Sequence, residues 1–168
     1  MTKQQDLIGK AGQNTARAVL SGLGLEFIEP VGTPVKLIPY RHTMRKDVYQ
    51  VIFGEKVAGD HRAMLPDGTS ILIEVKTIMD RNLQWSDLRE HQPGKLQRHA
   101  ELNGLSLIVW VHSLGVYVMR WPIEGFGPGK GIAPHQAAIF HDATVGYIQG
   151  CLYEIQKDLR NMELSQEG

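Results

Sequence analysis

Apolar residues in this chain form short runs separated by glycine, proline and polar residues, which is typical of strands and helices joined by tight turns. A helical spacing of apolar positions covers about residues 5–21 and ends at Gly22 and Gly24. Further helices are predicted at about residues 91–103 and 143–162. The runs that predict β-strands are residues 25–28, 35–38, 48–53, 57–65, 70–76, 105–111 and 116–119. This order of elements predicts an α/β protein.

Two of the predicted strands form a hairpin whose turn can be identified. Residues 66–69, Pro-Asp-Gly-Thr, join the strand at 57–65 to the strand at 70–76. Proline presets one backbone angle and glycine accepts a positive one, so this sequence favours a tight turn. Residues 105–111 are almost continuously apolar, as expected for a central strand buried on both faces. Together these patterns predict a central mixed sheet flanked by helices.

Composition places the chain in a broad class. With 168 residues, 42% of them hydrophobic, it is long enough for one ordinary domain, and we expect residues 1–168 to form it with a core at about 9–120. No apolar run approaches the roughly eighteen residues that span a bilayer, and residues 1–6 lack the layout of a secretory signal. Cys151 is the single cysteine, so no disulfide forms within the chain. We therefore expect a cytoplasmic protein without a membrane partner.

Glu74 and Lys76 are conspicuous because they interrupt the apolar strand predicted at residues 70–76. Side chains alternate along a strand, so both project from the same face, where burying charge is expensive unless it is used. Asp60 lies six residues before the hairpin turn begins, and Glu74 lies six residues after its glycine. The sequence therefore predicts two carboxylates that face each other across the hairpin.

A pair of converging carboxylates suits a hard cation such as Mg²⁺ or Mn²⁺, with the carbonyl oxygen of Val75 as a further ligand. Such an ion polarises a phosphate and lowers the pKa of a bound water, which is the chemistry of phosphodiester hydrolysis. Lys76 would orient or activate that water and offset the charge that develops in the transition state. The competing interpretation is an ordinary Glu–Lys surface pair on an edge strand. The position between apolar runs favours the metal site.

The residues around this pair resemble a known enzyme superfamily. Asp60, Glu74 and Lys76 match the PD-(D/E)xK nuclease pattern. The segments that extend the match are residues 60–63, Asp-His-Arg-Ala; 73–77, Ile-Glu-Val-Lys-Thr; and 88–92, Leu-Arg-Glu-His-Gln. Together they resemble the RecU-type Holliday junction resolvases. The resemblance implies a restriction-endonuclease-like fold, a Mg²⁺- or Mn²⁺-dependent endonuclease for DNA recombination and repair, a branched DNA substrate, and a homodimer that makes two symmetric incisions.

The resemblance also implies roles for individual residues. Asp60 and Glu74 would hold the metal. Lys76 would be the catalytic lysine, and Gln92 would position water or phosphate. In that family a glutamate of the N-terminal helix, four residues after a glycine, helps complete the metal site, and Gln13 stands at the matching place here. A neutral amide binds a divalent cation less strongly than a carboxylate, which weakens the expected metal affinity.

Two basic clusters, within residues 41–46 and 95–99, are candidates for contact with the DNA backbone. The residues we expect to bind DNA are Arg41, Arg45, Lys46, Arg62, Lys95 and Arg98. The formal net charge of the chain is zero, however, whereas proteins that clamp the DNA backbone usually carry a basic excess. The alternative is that each cluster is simply a solvated face.

Other interpretations also stay open. A nuclease of the same fold would serve repair, restriction or phage DNA processing, and a DNA-binding or assembly module would keep the fold without cleavage. Gln13 and the zero net charge favour the module, whereas the intact triad argues against it. Trp85, in a predicted loop, either stacks on a base or anchors the loop by packing. Residues 125–131 are glycine-rich but lack the strand-to-helix transition of a phosphate loop, so we expect no nucleotide cofactor.

Overall fold

The computed structural model of the chain describes residues 3–31, 35–39, 49–53 and 59–166. The α-helices in these ranges are α1 (Lys3–Gly22), α2 (His91–Glu101) and α3 (Pro134–Gln166). The strands are β1 (Glu26–Pro30), β2 (Val35–Pro39), β3 (Tyr49–Phe53), β4 (His61–Met64), β5 (Ser70–Thr77), β6 (Leu83–Gln84), β7 (Leu105–His112), β8 (Gly115–Arg120) and β9 (Gly131–Ile132). A short 3₁₀-helix, Trp85–Asp87, follows β6. This content confirms the α/β class.

The main sheet contains five strands in the order β1, β4, β5, β7, β8. β5 and β7 are parallel, and the other neighbouring pairs are antiparallel. A parallel pair needs a crossover connection, and α2 provides it between β5 and β7. The prediction of a mixed sheet flanked by helices is confirmed.

The predicted Pro-Asp-Gly hairpin is β4–β5. Gly68 in its turn has φ +88°, a conformation that glycine adopts without strain. The register pairs His61 with Ile73. One step further along the hairpin, Asp60 therefore comes level with Glu74, as the symmetry of the sequence predicted.

Buried side chains lie on both faces of the main sheet. On the first face, Ala16 of α1 and Ile148 of α3 belong to one cluster with Ile73 of β5. On the second face, Leu96 of α2 and Trp110 of β7 belong to another. All eight residues of β7 are buried, which confirms the prediction of a central strand. Because β5 lies between β4 and β7, it is an interior strand as well.

The N-terminal end of α3 differs from the prediction. The helix begins at Pro134, whereas the sequence pattern placed its start at about residue 143. Proline is well suited to the first helical position because it has no amide hydrogen to leave unpaired there. The amide of Ala133 donates to the side-chain carbonyl of Gln136 at 3.0 Å, which satisfies a further group at this end. These local contacts start the helix before its apolar periodicity becomes visible.

Smaller differences concern the loops. β2 and β3 pair with each other in a separate two-stranded sheet, and β6 pairs with β9 inside segments that were predicted to be irregular. α2 ends at Glu101 rather than at about residue 103. Predicted strand residues 48, 57 and 58 lie outside the described ranges. Within those ranges, no helix has the combination of length and apolar character needed to cross a bilayer. That residues 1–168 form a single domain stays a prediction.

Candidate active site

β5 carries the two charged residues that the sequence singled out. Glu74 pairs in register with Ile108 of β7, and Lys76 pairs with Trp110. Glu74 is only 2% exposed, and the Lys76 side chain is 13% exposed. The interpretation of an ordinary surface pair on an edge strand is therefore wrong, because β5 is interior and the carboxylate is buried.

Gln92, in the first turn of α2, connects the two charges. The ammonium of Lys76 lies 2.9 Å from Oε1 of Glu74 and donates to Oε1 of Gln92 at 2.9 Å. The Nε2 group of Gln92 donates in turn to Oε1 of Glu74. The amide of Arg89 donates to Gln92 Oε1 at 2.8 Å, which fixes the orientation of the side-chain amide. Glu74, Lys76 and Gln92 thus form a closed ring of hydrogen bonds, as buried charges require.

Asp60 stands in a bend immediately before β4, where its backbone is held from two sides. Its amide donates to the carbonyl of Ile73 at 2.7 Å, and its carbonyl accepts from the amide of Val31 at 2.9 Å. Oδ2 of the carboxylate accepts from the amide of Val75 at 2.8 Å. The Asp60 side chain therefore accepts the hydrogen bond that a backbone carbonyl would otherwise accept at this position of the sheet. Its carboxylate is oriented towards the end of β5.

The preceding residue explains how the chain reaches this position. Gly59 has φ +85°, and a Cβ atom there would lie 2.5 Å from a methyl group of Leu72 and 3.1 Å from the carbonyl oxygen of Ile73. Only glycine combines this backbone angle with so close an approach to β5. Gly59 thus allows Asp60 to stay beside the strand that carries Glu74.

The surroundings of Glu74 act on the pKa of its carboxyl in opposing directions. Burial raises the pKa of the Glu74 carboxyl above its ordinary value, and the charge of Asp60 acts in the same direction. Lys76 and the hydrogen bond from Gln92 act in the opposite direction. The hairpin register brings the two carboxylates level with each other on neighbouring segments, where like charges repel. A divalent cation would relieve that repulsion.

α1 contributes to the same site from the opposite face of the sheet. Gly12 is buried against the end of β5, and a Cβ atom there would lie 1.9 Å from the hydroxyl oxygen of Thr77. This close approach brings Gly9 and Gln13 to a cavity of about 210 Å³. We call it the site cavity; its lining is Gly9, Gln13, Asp60, Glu74, Val75, Lys76, Thr77, Arg89 and Gln92. The structure therefore brings together every residue predicted for the catalytic and metal roles.

The donor set of the site cavity fits a hard divalent cation. Among the described residues no group of three or more His, Cys, Asp or Glu side chains converges, so the acidic donors here are the two carboxylates of Asp60 and Glu74. The hydrogen bonds of these carboxylates with other described residues use Oδ2 of Asp60 and Oε1 of Glu74, so within the described part of the chain the second oxygen of each can bind a cation. The carbonyl of Val75 points to the same strand edge as its amide, towards Asp60. Two carboxylates and a carbonyl are typical of a Mg²⁺ site that keeps several waters.

The predicted DNA-binding residues separate into two groups. Arg62, Lys95 and Arg98 line one depression of about 350 Å³ between β4, β5 and α2, together with Ser70, Leu72, His99 and Leu102. We call this the basic depression. Arg41, Arg45 and Lys46 lie outside the described residues.

Some features of the site were not found from the sequence. The sequence predicted no role for Arg89 by itself, yet it lines the site cavity and its amide orients Gln92. A signal was present, since a cation precedes the predicted site glutamine by about one helical turn. No feature of the sequence indicated the role of Gly12, because the close approach between α1 and β5 depends on the tertiary arrangement.

The loop before α2 is anchored by aromatic packing. The ring of Trp85 is half-buried, with its centroid 5.8 Å from that of Trp121 and 5.3 Å from that of Phe126. Arg81 and Asp87 form a bidentate ion pair with nitrogen–oxygen distances of 2.8 and 2.7 Å. These contacts are those of the packing interpretation of Trp85 rather than of a ring presented for base stacking.

Two comparisons with known proteins give no match. No protein-family model matches the chain, and a search of curated proteins finds no match. The assignment of function therefore depends on the geometry of the site cavity and its surroundings.

Proposed function

We propose that this protein is a metal-dependent, structure-selective DNA endonuclease similar to the RecU-type Holliday junction resolvases. The observation that carries the proposal is the ring formed by Glu74, Lys76 and Gln92, with Asp60 oriented beside it. Burying the Glu74 carboxylate in an apolar sheet beside a second carboxylate and a largely covered ammonium costs free energy, and buried ionisable groups with a raised pKa are concentrated at functional sites.

The residues predicted for the catalytic and metal roles each have a task in phosphodiester hydrolysis. Asp60, Glu74 and the carbonyl of Val75 would hold Mg²⁺ or Mn²⁺, with Gln13 as a weaker further ligand. The ion, when bound, polarises the scissile phosphate and makes a bound water more acidic. Lys76 donates to the phosphate oxygen that gains charge, or holds the attacking water.

Gln92 acts as a positioning residue. Its Oε1 accepts from Lys76, and its Nε2 donates to Glu74. Gln92 thus fixes the distance between the Lys76 ammonium and the Glu74 carboxylate. Because the Arg89 amide also binds Oε1, the amide group cannot flip without losing these bonds. The site is thereby held ready before substrate arrives, which reduces the cost of ordering it during reaction.

DNA is the proposed substrate, with branched DNA preferred and a homodimer as the active form. A junction resolvase must cut two strands symmetrically, and a twofold dimer places two active sites in symmetric positions. Arg62, Lys95 and Arg98 lie beside the same strand and helix that carry the site cavity. A chain without net charge can therefore still present positive charge where a phosphate backbone would pass.

The proposal is tested with a four-way junction, a linear duplex and a flap, each incubated with Mg²⁺ or Mn²⁺. We expect nicking of the junction by the protein and none by Glu74→Gln, whose amide keeps the shape of the side chain but not its charge. Glu154→Gln, an exposed glutamate of α3, is the matched control and should cleave normally. Absence of metal-dependent nicking on every substrate would refute the enzyme; equal nicking of all three would refute junction selectivity.

Gln13 supports a second candidate, a DNA-binding or assembly module that has lost cleavage. Its amide lines the site cavity where a third carboxylate would strengthen the metal site. If the site is active but short of charge, Gln13→Glu should lower the Mg²⁺ concentration needed for half-maximal cleavage. A module would instead bind the junction with no cleavage by either form. A nuclease of the same fold in repair, restriction or phage DNA processing would cleave a substrate other than the junction.

A further inference from the structure

The basic depression lies next to the site cavity along the same two elements. Leu72, in its lining, is two residues before Glu74 on the same face of β5, which corresponds to about 7 Å. Lys95, also in its lining, is one helical turn after Gln92 in α2. The two features are therefore neighbours on one surface, and a ligand that fills the first can extend into the second.

Positive charge predominates in the basic depression. Arg62 comes from β4, and its register with Leu72 places it on the face that α2 covers. Lys95 and Arg98 come from α2. Glu101 approaches Arg98, but the nitrogen–oxygen distance is 3.8 Å and both side chains are largely exposed, so this pair is weak. Arg62 and Arg98 thus bring two guanidinium groups to one depression, and among the described residues the ion pair of Arg98 is this loose one.

His99 lines this depression, and hydrogen bonds and close packing hold its ring in place. Its Nδ1 lies 2.9 Å from the Ser106 hydroxyl, and that hydroxyl donates to the carbonyl of Leu96 at 2.8 Å. Because Ser106 gives its own proton away, it must accept from His99, so Nδ1 carries a hydrogen. A Cβ atom on Gly104 would lie 2.2 Å from the imidazole ring, which shows how closely the backbone holds it.

The second imidazole nitrogen points to the ligand side. Nε2 of His99 lies 3.2 Å from the hydroxyl of Ser70, which lines the basic depression. When the imidazole is neutral, Ser70 donates to Nε2; when it is protonated, Nε2 donates to Ser70 and frees the serine hydrogen for a ligand. The charged groups that line the depression with the ring are Arg62 from β4, and Lys95 and Arg98 from α2; Glu101 of α2 approaches Arg98. Burial lowers the pKa of His99 below its ordinary value, and the charge of Arg62 lowers it further.

We propose that the basic depression binds a phosphodiester group of the nucleic-acid backbone, close to the phosphate that is cut. The inference rests on the proposed function, since nucleic acid is the ligand which that function supplies. Arginine forks suit phosphate oxygens, and the Ser70 hydroxyl adds a donor that becomes available when His99 is protonated. An anion in this place would offset the positive charge of Arg62 and Arg98.

Binding is measured without cleavage, by fluorescence anisotropy of a labelled duplex in EDTA between 50 and 200 mM salt. We expect Arg62→Ala and Arg98→Ala each to weaken binding several-fold and to reduce the salt slope by about one unit, because each removes about one phosphate contact. Lys157→Ala removes a similarly exposed cation from α3 and should leave both quantities unchanged. Wild-type affinity and slope in both arginine variants would overturn the proposal.

A second pair of duplexes, with and without a 5′-phosphate, distinguishes a backbone diester from a terminal monoester. Equal losses of affinity on both support the diester, whereas a loss confined to the phosphorylated duplex would overturn it. An anion raises the pKa of His99, so affinity should rise as the pH falls through its titration. That rise should be smaller in His99→Gln. An identical pH profile in this variant would contradict the proposed role of His99 in making the Ser70 hydroxyl available to the phosphodiester.

These measurements separate the two proposals. If the protein cleaves DNA with Mg²⁺ but its arginine variants keep the wild-type salt slope, only the proposal that the basic depression binds a phosphodiester is overturned. A protein that never cleaves, but whose salt slope depends on Arg62 and Arg98, would overturn the endonuclease alone.

Discussion

The site cavity and the basic depression lie beneath the same helix and on the same strand, yet their charges are arranged in opposite ways. In the site cavity, Glu74 is buried and compensated by Lys76 and Gln92 within one ring of hydrogen bonds. In the basic depression, Arg62 and Arg98 are exposed and the only described partner of Arg98 is a distant carboxylate. A compensated cluster is rigid without a ligand, whereas an uncompensated one gains most when an anion arrives. Under the proposed function, the site cavity would perform the chemistry and the basic depression would attract the substrate.

The largest expected effect tests the chemical side. Lys76→Ala should lower the cleavage rate by about 100- to 1000-fold, because it removes a donor aimed at developing charge. Duplex affinity in EDTA should change little, in contrast to Arg98→Ala. Single-turnover cleavage and anisotropy measure the two quantities separately. If Lys76→Ala lost as much duplex affinity as cleavage rate, the proposed division between catalysis in the site cavity and DNA binding in the basic depression would be wrong.

The positioning role of Gln92 predicts a smaller kinetic effect. Gln92→Ala should slow cleavage by about 10- to 100-fold, as is usual when a residue that orients a metal ligand or catalytic group is removed. The pH dependence of the rate should also change, since Glu74 and Lys76 lose their shared partner. His91→Ala, at the neighbouring and more exposed position, is the control. An unaltered pH profile in Gln92→Ala would reduce its role to packing.

A stability measurement tests how α1 is held against the site cavity. Gly12→Ala places a methyl group where the Thr77 hydroxyl lies, and we expect a loss of about 1–3 kcal/mol in the free energy of unfolding. Gly146→Ala, in open space on α3, should instead gain about 0.5–1 kcal/mol from helix propensity. Urea denaturation gives both values. Combining Gly12→Ala with Thr77→Ala should recover part of the loss, and failure to do so would place the strain elsewhere.

The smallest effect concerns the cost of burying Glu74. Its pKa is raised in the folded state, so the folded protein binds more protons than the unfolded chain between the two pKa values. Stability contributed by this group is therefore lost as the pH rises through the folded pKa. Glu74→Gln removes the penalty and should raise the melting temperature near pH 8, with a difference that shrinks towards pH 4. Mg²⁺ should raise the melting temperature of the wild type but not that of Glu74→Gln.

Much of the site was predictable because local rules determine it. The Pro-Asp-Gly turn defined the register of the hairpin, and this register brought Asp60 level with Glu74. Strand alternation put Lys76 on the face of Glu74. The resemblance placed Gln92 in the site as a residue that positions water or phosphate. Its hydrogen bonds to Glu74 and Lys76 were not predicted, since nothing local in the sequence shows where α2 crosses β5.

Other features depend on contacts between distant segments, and the hydrophobic pattern does not encode them. The start of α3 at Pro134 follows from the capping bond of Gln136 rather than from periodicity. The pairing of β6 with β9 joins two residues from each of two irregular segments, too few to form a recognisable strand pattern. The backbone contact between Asp60 and Val31 likewise connects segments whose proximity only the folded sheet defines.

The bond between the Asp60 carboxylate and the Val75 amide has a spectroscopic consequence. That amide hydrogen is shared with a side chain rather than with a backbone carbonyl, so its NMR chemical shift and its exchange with solvent depend on the electron density of the carboxylate. A cation that withdraws density from Asp60 would weaken the bond and shift this single resonance. One backbone signal in the middle of the sheet would then report site occupancy directly, in a protein whose turnover has been disabled.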